Sequence, residues 1–488
     1  MPLPTIPSGN VASALPTGYE IANSVRMNDD DTPYFAKTPT AGDRAKWTFS
    51  CWFKLGGAFT STHALLVSGG NSADQSTIRL DSGVIDWVEW DQSGSAVAGR
   101  LITNKIFRDT TAWYHLVCTW DSDNGTAGNR MRMYINGVEE TSFSTDTNPT
   151  SGYDSAMNSN VLHEIGRQSW NSSGYFDGYL AEMAFCDGQA YAASDFGEFD
   201  DDSPTIWKPK DISTLTFGTR GWYLDFEDSD DLDDDESGNG NDWTANNLAA
   251  IDQCTDTPTN NFCVLNPNNG GGSYTDNDTY SEGNTIMVAS DYSTTMGTFG
   301  VTNGKWYWEA HIVWNGTSNN ANFPRTIGIM ADDYSIDGYS YLGQEGNSWG
   351  MNFVDTTTDI WKMEHDSSST SITSATTMAN GDVMMFALDM DNGALYFGRG
   401  GTWYTSGDPT SGASKTGAVI TLSTADMAKH ILPALTSATS GTYYKMNFGN
   451  PAFTISSGNS DGAGYGNFEY APPSGYYALC TKNLAEYG

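Results

Sequence analysis

The stretch from Trp113 to Val138 fixes most of what this chain can become. It runs Trp-Tyr-His-Leu-Val-Cys-Thr-Trp, passes through a polar Asp/Gly/Asn loop, and returns as Arg-Met-Arg-Met-Tyr-Ile-Asn-Gly-Val. Tyr114, Leu116, Cys118 and Trp120 share one side of a period-two repeat, and Met131, Met133 and Ile135 do the same, as strands with one buried face require. Asn136-Gly137 then supplies two residues that readily take positive φ, so the chain can reverse in a tight primed turn. The pattern predicts a hairpin within an antiparallel sheet.

At 488 residues the chain is too long for one core of ordinary size, and two domains of roughly 200 residues each are expected. Aromatics make up 13% and there are 52 glycines, enough large side chains for cores and enough turn formers to join many short strands. The best helix candidate, Ala425 to His430, is short. The expected class is all-β.

Lys and Arg number 23 against 60 Asp and Glu, a net charge of -37, so nucleic acid and anionic membrane surfaces are not expected partners. No apolar run reaches about 18 residues, so no membrane insertion is expected. Residues 1–19 lack a basic start and an apolar core, which speaks against a secretory signal peptide. Cys51, Cys118, Cys186, Cys254, Cys263 and Cys480 show no C-x-x-C spacing and are expected to be reduced and structural, with Cys254 and Cys263 the one pair to test.

Residues 1–20 are rich in Pro, Ser and Gly and have no period, an expected extended arm. Strand patterns then recur to about residue 209, among them Trp47-Thr-Phe-Ser-Cys-Trp-Phe-Lys, Thr77-Ile-Arg-Leu, Val84-Ile-Asp-Trp-Val and Leu162-His-Glu-Ile-Gly. Many short strands between turn clusters predict a sandwich or jelly roll. The ordered set formed by Trp47-Thr-Phe-Ser-Cys-Trp-Phe-Lys, the Trp113 hairpin, Ile165-Gly-Arg and Phe176-Asp-Gly-Tyr-Leu-Ala-Glu resembles the laminin G-like branch of the concanavalin A-like lectin/glucanase superfamily. The resemblance implies a two-sheet jelly roll of a type that often binds carbohydrate.

From about 210 to 260 the composition shifts. Asp225 to Asp242 is a dense run of carboxylates ending in turn formers. Such a run is a solvated connector or a calcium loop, with Asp230, Asp233, Asp235 and Asn239 as oxygen donors; the EF-hand spacing is absent. The second half carries Gly304-Lys-Trp-Tyr-Trp-Glu, Gly381-Asp-Val leading into Leu388-Asp-Met-Asp-Asn-Gly, and Pro433-Ala-Leu. That trio resembles the SPRY domain over roughly residues 280–450, which implies a second β-sandwich presenting loops to a protein or glycan. The expected organisation is therefore an arm (1–20), a concanavalin A/laminin G-like β-sandwich (21–209), an acidic connector (210–260) and a SPRY-like β-sandwich (261–488).

A third resemblance lies at the joint. Asp187-Gly-Gln-Ala, Asp195-Phe-Gly-Glu, Trp207-Lys-Pro-Lys, Gly221-Trp-Tyr-Leu-Asp-Phe, Ser237-Gly-Asn-Gly-Asn-Asp-Trp and Asp256-Thr-Pro-Thr-Asn-Asn-Phe look like a string common in structural proteins of tailed bacteriophages. It implies a virion protein on a tail or head surface, assembled in the host cytoplasm beside other virion proteins, as a homo-oligomer for which a trimer is the expectation. Host attachment through a surface glycan is one function this implies. Head decoration or an adaptor role without glycan binding is another.

Catalysis is not expected. Glycosidases of the concanavalin-like type set two carboxylates across the scissile bond; the nearest approach here, Glu198-Phe-Asp-Asp-Asp-Ser, lacks the closing Glu, which disfavours a glycan hydrolase. His63, His115, His163, His311, His365 and His430 lack ligand spacing, and His115 and His311 are expected on sheet surfaces. Sugar binding needs an exposed aromatic face with polar neighbours. Trp170 and Tyr175, bracketing Asn171-Ser-Ser-Gly, are the first candidates, and Trp87 and Trp90 the second. Tyr339 and Tyr341, with Trp403 and Tyr404, mark candidate partner-binding loops in the second half. For each aromatic a core position is the alternative.

Overall fold

The structure, a computed structural model, describes residues 18–57, 61–69, 75–91, 96–269, 278–288, 293–314, 326–333, 341–352, 361–372, 379–437 and 442–488. The chain divides into two compact units at Thr259/Asn260. Both are built of sheets paired antiparallel except at Tyr477–Ala478, which runs parallel to its neighbour, the all-β class expected.

In the first unit, one sheet runs in the order Val138–Glu139, Met131–Ile135, Tyr114–Asp121, Lys46–Leu55, Gly178–Asp187, Ser24–Met27 and Gln253–Cys254, with Trp222–Leu224 also on Gly178–Asp187. The facing sheet runs Phe143–Thr147, Val97–Thr103, Val84–Trp90, Ser76–Asp81, Thr62–Ser68, His163–Ile165, Tyr34–Lys37 and Thr244–Asn246. The hairpin forms as its alternation requires: Leu116 opposes Ile135, Cys118 opposes Met133 and Trp120 opposes Met131. All six point into the inter-sheet core, where Trp47 lies 6.0 Å from Trp120 and 5.6 Å from Trp87. Asn136 (φ 48°) and Gly137 (φ 78°) make the primed turn into Val138–Glu139. Glycine is needed at 137 twice over, since a Cβ there would lie 2.2 Å from the Trp207 ring.

The first sheet is buried on both faces. Lys46–Leu55 and Gly178–Asp187 have scarcely an exposed residue, because residues 188–217 fold back over the outer side. There Val117, Tyr134, Ala184 and Cys186 meet Ala193, Phe196, Ile212 and Phe217. His115 is consequently not a surface histidine. Its ring lies between Trp52 (4.6 Å) and Trp207 (6.0 Å). Trp207 Nε1 donates to its Nδ1 at 3.0 Å, which leaves the proton on Nε2 to meet Ser50 Oγ at 2.9 Å. Burial pushes its pKa down to about 3.

The stretch expected to be a connector, 210–260, belongs to this unit. Trp222–Leu224 adds to one sheet, Thr244–Asn246 closes the edge of the other, and Gln253–Cys254 pairs with Ser24–Val25. The acidic composition misled because several carboxylates are turned inward onto protein donors rather than outward to water. Asp256 is the clearest case. Fully buried, it takes Lys54 Nζ at 2.8 Å and Trp113 Nε1 at 2.9 Å, while its carbonyl accepts Ser24 Oγ at 2.6 Å. At Gly178–Asp187 the register shifts between Ala181 and Ala184, and Glu182 sits there at φ 47°. Tyr19 and Tyr223 hydroxyls both donate to Glu182 Oε1 at 2.7 Å, and burial raises that carboxyl to about 7.

In the second unit, one sheet runs Thr279–Ser281, Ile286–Val288, Thr442–Asn447, Lys305–Trp314, Val383–Asp389, Ala394–Arg399 and Thr402–Trp403, with Ile420–Thr421 and Tyr477–Ala478 attached. The other runs Ser293–Met296, Ile431–Ser437, Thr326–Ala331, Ser348–Asn352, Trp361–His365 and Ser368–Ile372. Trp306, Trp308, Phe386 and Leu388 fill the space between them. The Asn392-Gly393 reversal is a four-residue loop, not a two-residue turn: Asp389 pairs with Ala394 and only Gly393 takes positive φ. Asp389 instead caps the loop, accepting Asn392 N and Nδ2 at 3.0 and 2.8 Å. Glu309, buried, accepts Tyr307 Oη, Asn447 Nδ2 and the amides of Glu469 and Tyr470, so one carboxylate docks the C-terminal segment. The short helix falls at Thr424–Met427, capped by Ser423 and Asp426. A second, Thr481–Tyr487, has no clear signal in the sequence.

All six cysteines are free and buried. No helix among the described residues is long and apolar enough to cross a membrane.

Two predictions follow from this packing. Asp256→Ala strands Lys54 in the interior and is expected to cost roughly 3–5 kcal/mol in urea denaturation of the first unit; a change below about 1 kcal/mol contradicts the burial. His115, held neutral, binds its proton only in the unfolded chain between about pH 6.5 and pH 3. Its contribution to stability is therefore full above that window and lost as pH falls through it. Its NMR ring signals are expected to stay flat from pH 8 to about pH 5; a midpoint near 6.5, the ordinary histidine value, contradicts the assignment.

Candidate functional site

The segment 163–177 leaves the facing sheet of the first unit at strand His163–Ile165 and returns into Gly178–Asp187. Its loop is pinned at several points. Gln168 N donates to Ser173 O at 2.9 Å and Ser172 N to Gln168 O at 3.0 Å, closing a small ring. Ser169 Oγ reaches Gly69 O, and Ala64 N donates to Gly174 O at 2.9 Å. Arg167 anchors the base: Nε donates to the buried Glu164 at 3.0 Å, Nη2 reaches its other oxygen, and the guanidinium lies 3.5 Å over the Tyr34 ring. Tyr175 hydrogen-bonds the same guanidinium.

On this loop Trp170 and Tyr175 are each half-buried, and Asn171, Ser172 and Ser173 are exposed. Two aromatic faces with one side open, separated by hydroxyls and an amide on a pinned backbone, form a surface on which a sugar ring can stack and hydrogen-bond. The sequence indicated the aromatics. It did not indicate Arg167, Glu164 and Tyr34, which come from the adjoining strand and a distant one.

The second pair separates. Trp87 is fully buried in the core against Trp47 and Trp120, so it is no ligand platform. Period two puts it on the same face as Ile85, and that face is the interior. Trp90 lies beyond a register shift after Glu89 and is half-buried, its carbonyl accepting Tyr153 Oη at 3.3 Å.

In the second unit Tyr339 lies outside the described residues, and Tyr341 is half-buried. Trp403 and Tyr404 lean on the interior. Tyr404 stacks on Phe397 at 5.5 Å and lies 4.9 Å from Trp361, and burial pushes its hydroxyl up to about 12. Both leave only an edge to a partner.

The calcium reading of the acidic run finds no support in what its oxygens hold. Asp235, buried, accepts the amides of Tyr223, Ser237 and Asn241 at 2.7–2.9 Å and Ser237 Oγ at 2.8 Å. Asp233 Oδ2 accepts Ala245 N, and Asn239 Nδ2 donates to Gly218 and Gly221 carbonyls. Asp230 stands exposed, its amide bonded to Asp228. The four do not converge, and no cluster of three or more His, Cys, Asp or Glu fit for a metal occurs among the described residues. Likewise Asp200 caps the turn between Gly197–Phe199 and Trp207–Pro209, accepting the amides of Asp202 and Ser203 and pairing with Lys208 at 3.2 Å.

Residues 29–193 match the family model for laminin G-type domains of the concanavalin A-like lectin/glucanases superfamily. The compact unit that contains this stretch runs on to Thr259. No match was found among curated protein sequences. Among solved structures, the SPRY domain of human HERC1 aligns at 17% identity over 33% of this chain and 86% of its own, TM-score 0.23. Stonustoxin aligns at 19% over 38% and 27%, TM-score 0.27. The heptameric SAP-like pentraxin of Limulus polyphemus aligns at 16% over 36% and 80%, TM-score 0.27. Similarity at this level says nothing of ligand or partner.

Asp235→Ala leaves three backbone amides without an acceptor and is expected to destabilise the first unit by roughly 2–4 kcal/mol, with or without added Ca²⁺. A melting temperature that rises with Ca²⁺ in the parent and not in the variant restores the metal reading.

Proposed function

We propose that the chain is a surface protein of a tailed-bacteriophage virion, whose first sandwich binds host-surface carbohydrate through the Trp170–Tyr175 loop. The SPRY-like second sandwich contacts other virion proteins. The observation that carries this reading is the pinned loop 168–175, with two half-buried aromatics and exposed polar residues between them, on a domain of a lectin-type superfamily. The phage-type segments support it from a second side: Asp187 and Asp256, which open two of them, both hold the first unit together. We read the protein as a binder rather than a hydrolase, since the carboxylates nearest a glycosidase pattern serve a turn.

A structural decoration role is the second reading. Phe199 and Ile206 stand exposed on the hairpin of the outer layer, an apolar surface of the kind that protein contacts cover.

A glycan array is the direct test. Trp170→Ala is expected to weaken retention of the bound glycans at least about tenfold, about 1.4 kcal/mol, while the melting temperature stays near that of the parent. No bound glycan, together with density for this chain on the head shell in intact particles, favours decoration instead.

A further inference from the structure

One sheet of the second unit ends on strand Ser368–Ile372, which pairs with Trp361–His365 on one side and, among the described residues, with nothing on the other. Ser368, Ser369, Thr370 and Ser371 are all exposed, so both faces of the strand meet water, and only Ile372 returns to the core. Asp366 (φ 50°) and Ser367 (φ 55°) join the two strands in a two-residue primed turn. The pair flanking such a turn, His365 with Ser368, is hydrogen-bonded, and so is every second pair beyond it, Met363 with Thr370 and Trp361 with Ile372. The amides and carbonyls of Ser369 and Ser371 therefore point out of the sheet.

Open edges of this kind are normally guarded by a charge, a proline, a bulge or a covering segment. Others in this chain are. Phe143–Thr147 carries Asp146, Val138–Glu139 carries Glu139, Thr279–Ser281 lies between Asp278 and Glu282, and Ser293–Met296 is buried. Thr244–Asn246 is neutral but only three residues long. Ser368–Ile372 has no such guard. Its register with Trp361–His365 runs without a shift, and neither a charged residue nor a proline occurs between Asp366 and Asp382. In a chain with 60 acidic residues against 23 basic ones, a charge-free stretch on an exposed edge is a place where a second copy approaches without carboxylates opposing it.

We infer that Ser368–Ile372 pairs antiparallel with the same strand of a second copy about a twofold axis through Thr370, joining two sheets into one. Ser369 of each copy then faces Ser371 of the other as a hydrogen-bonded pair, which satisfies the outward amides and carbonyls. Thr370 faces its own symmetry mate and Ser368 faces Ile372, so no carboxylate faces another; hydroxyl pairs of this kind are favourable across strands. Ser369-Thr370-Ser371 reads the same in both directions, which makes the edge its own complement in an isologous contact. The product is a dimer, where the sequence resemblance implied a trimer. Five residues make an interface smaller than that of stable complexes, so association is weak, with Kd in the range of about 1–100 μM. This inference does not rest on the carbohydrate reading.

Sedimentation equilibrium of the full chain tests it. The parent is expected to approach twice its 52.8 kDa as concentration rises through about 1–100 μM. Ser369→Glu together with Ser371→Glu sets carboxylates opposite each other across the axis and is expected to weaken association at least about tenfold, with the melting temperature near that of the parent. Thr370→Cys supplies a second readout. All six native cysteines are buried, and two thiols meeting at the axis lie within disulfide reach, so mild oxidation is expected to give a covalent dimer on a non-reducing gel. Ala413→Cys, exposed elsewhere in the same unit, is expected to stay monomeric. A parent that is monomeric throughout, a trimer, or a dimer that the double Glu variant leaves intact overturns the inference. So does a Thr370→Cys variant that crosslinks no faster than Ala413→Cys. Should the double Glu variant fail to fold, the crosslink decides alone.

Discussion

The first unit depends on burying one sheet from both sides. Strand Lys46–Leu55 carries core residues inward and Thr48, Ser50, Trp52 and Lys54 outward, and none of these reaches water. The polar ones must therefore be satisfied by protein. Thr48 Oγ1 finds Gln189 O, Ser50 finds His115, and Lys54 finds Asp256. Gln189 and Asp256 come from segments that a two-layer sandwich does not need, and His115, on the neighbouring strand, is itself covered by Trp207 of the outer layer. The outer layer is thus specified by the polar groups it covers as much as by the apolar ones.

That constraint explains which expectations succeeded. Alternation states which residues share a face, so the hairpin, its register and its inward set Leu116, Cys118, Trp120, Met131, Met133 and Ile135 were legible. It does not state whether the opposite face meets water or a further layer. His115 looked like a surface residue for that reason, and 210–260 looked like a connector. A strand in which both faces are apolar or hold hydroxyls is the signal of double burial, and Phe-Ser-Cys-Trp-Phe-Lys carries it in retrospect.

The candidate site was legible in part for the same reason. Trp170 and Tyr175 are local to one loop, and a loop between strands shows in sequence. Trp87 shared the alternating strand with Ile85, and only the neighbouring Trp47 and Trp120 decide that its face is interior. Acidic residues at 230–239 suggested a cation because composition counts charges and not the amides they accept.

The central claim is that the first sandwich binds saccharide at its Trp170–Tyr175 loop. Backbone chemical-shift mapping of the labelled chain titrated with an oligosaccharide retained on the glycan array tests it most directly. The account predicts saturable shifts confined to residues 167–175 and the residues they touch. Shifts confined to residues 260–488, or none at saturating ligand, contradict it.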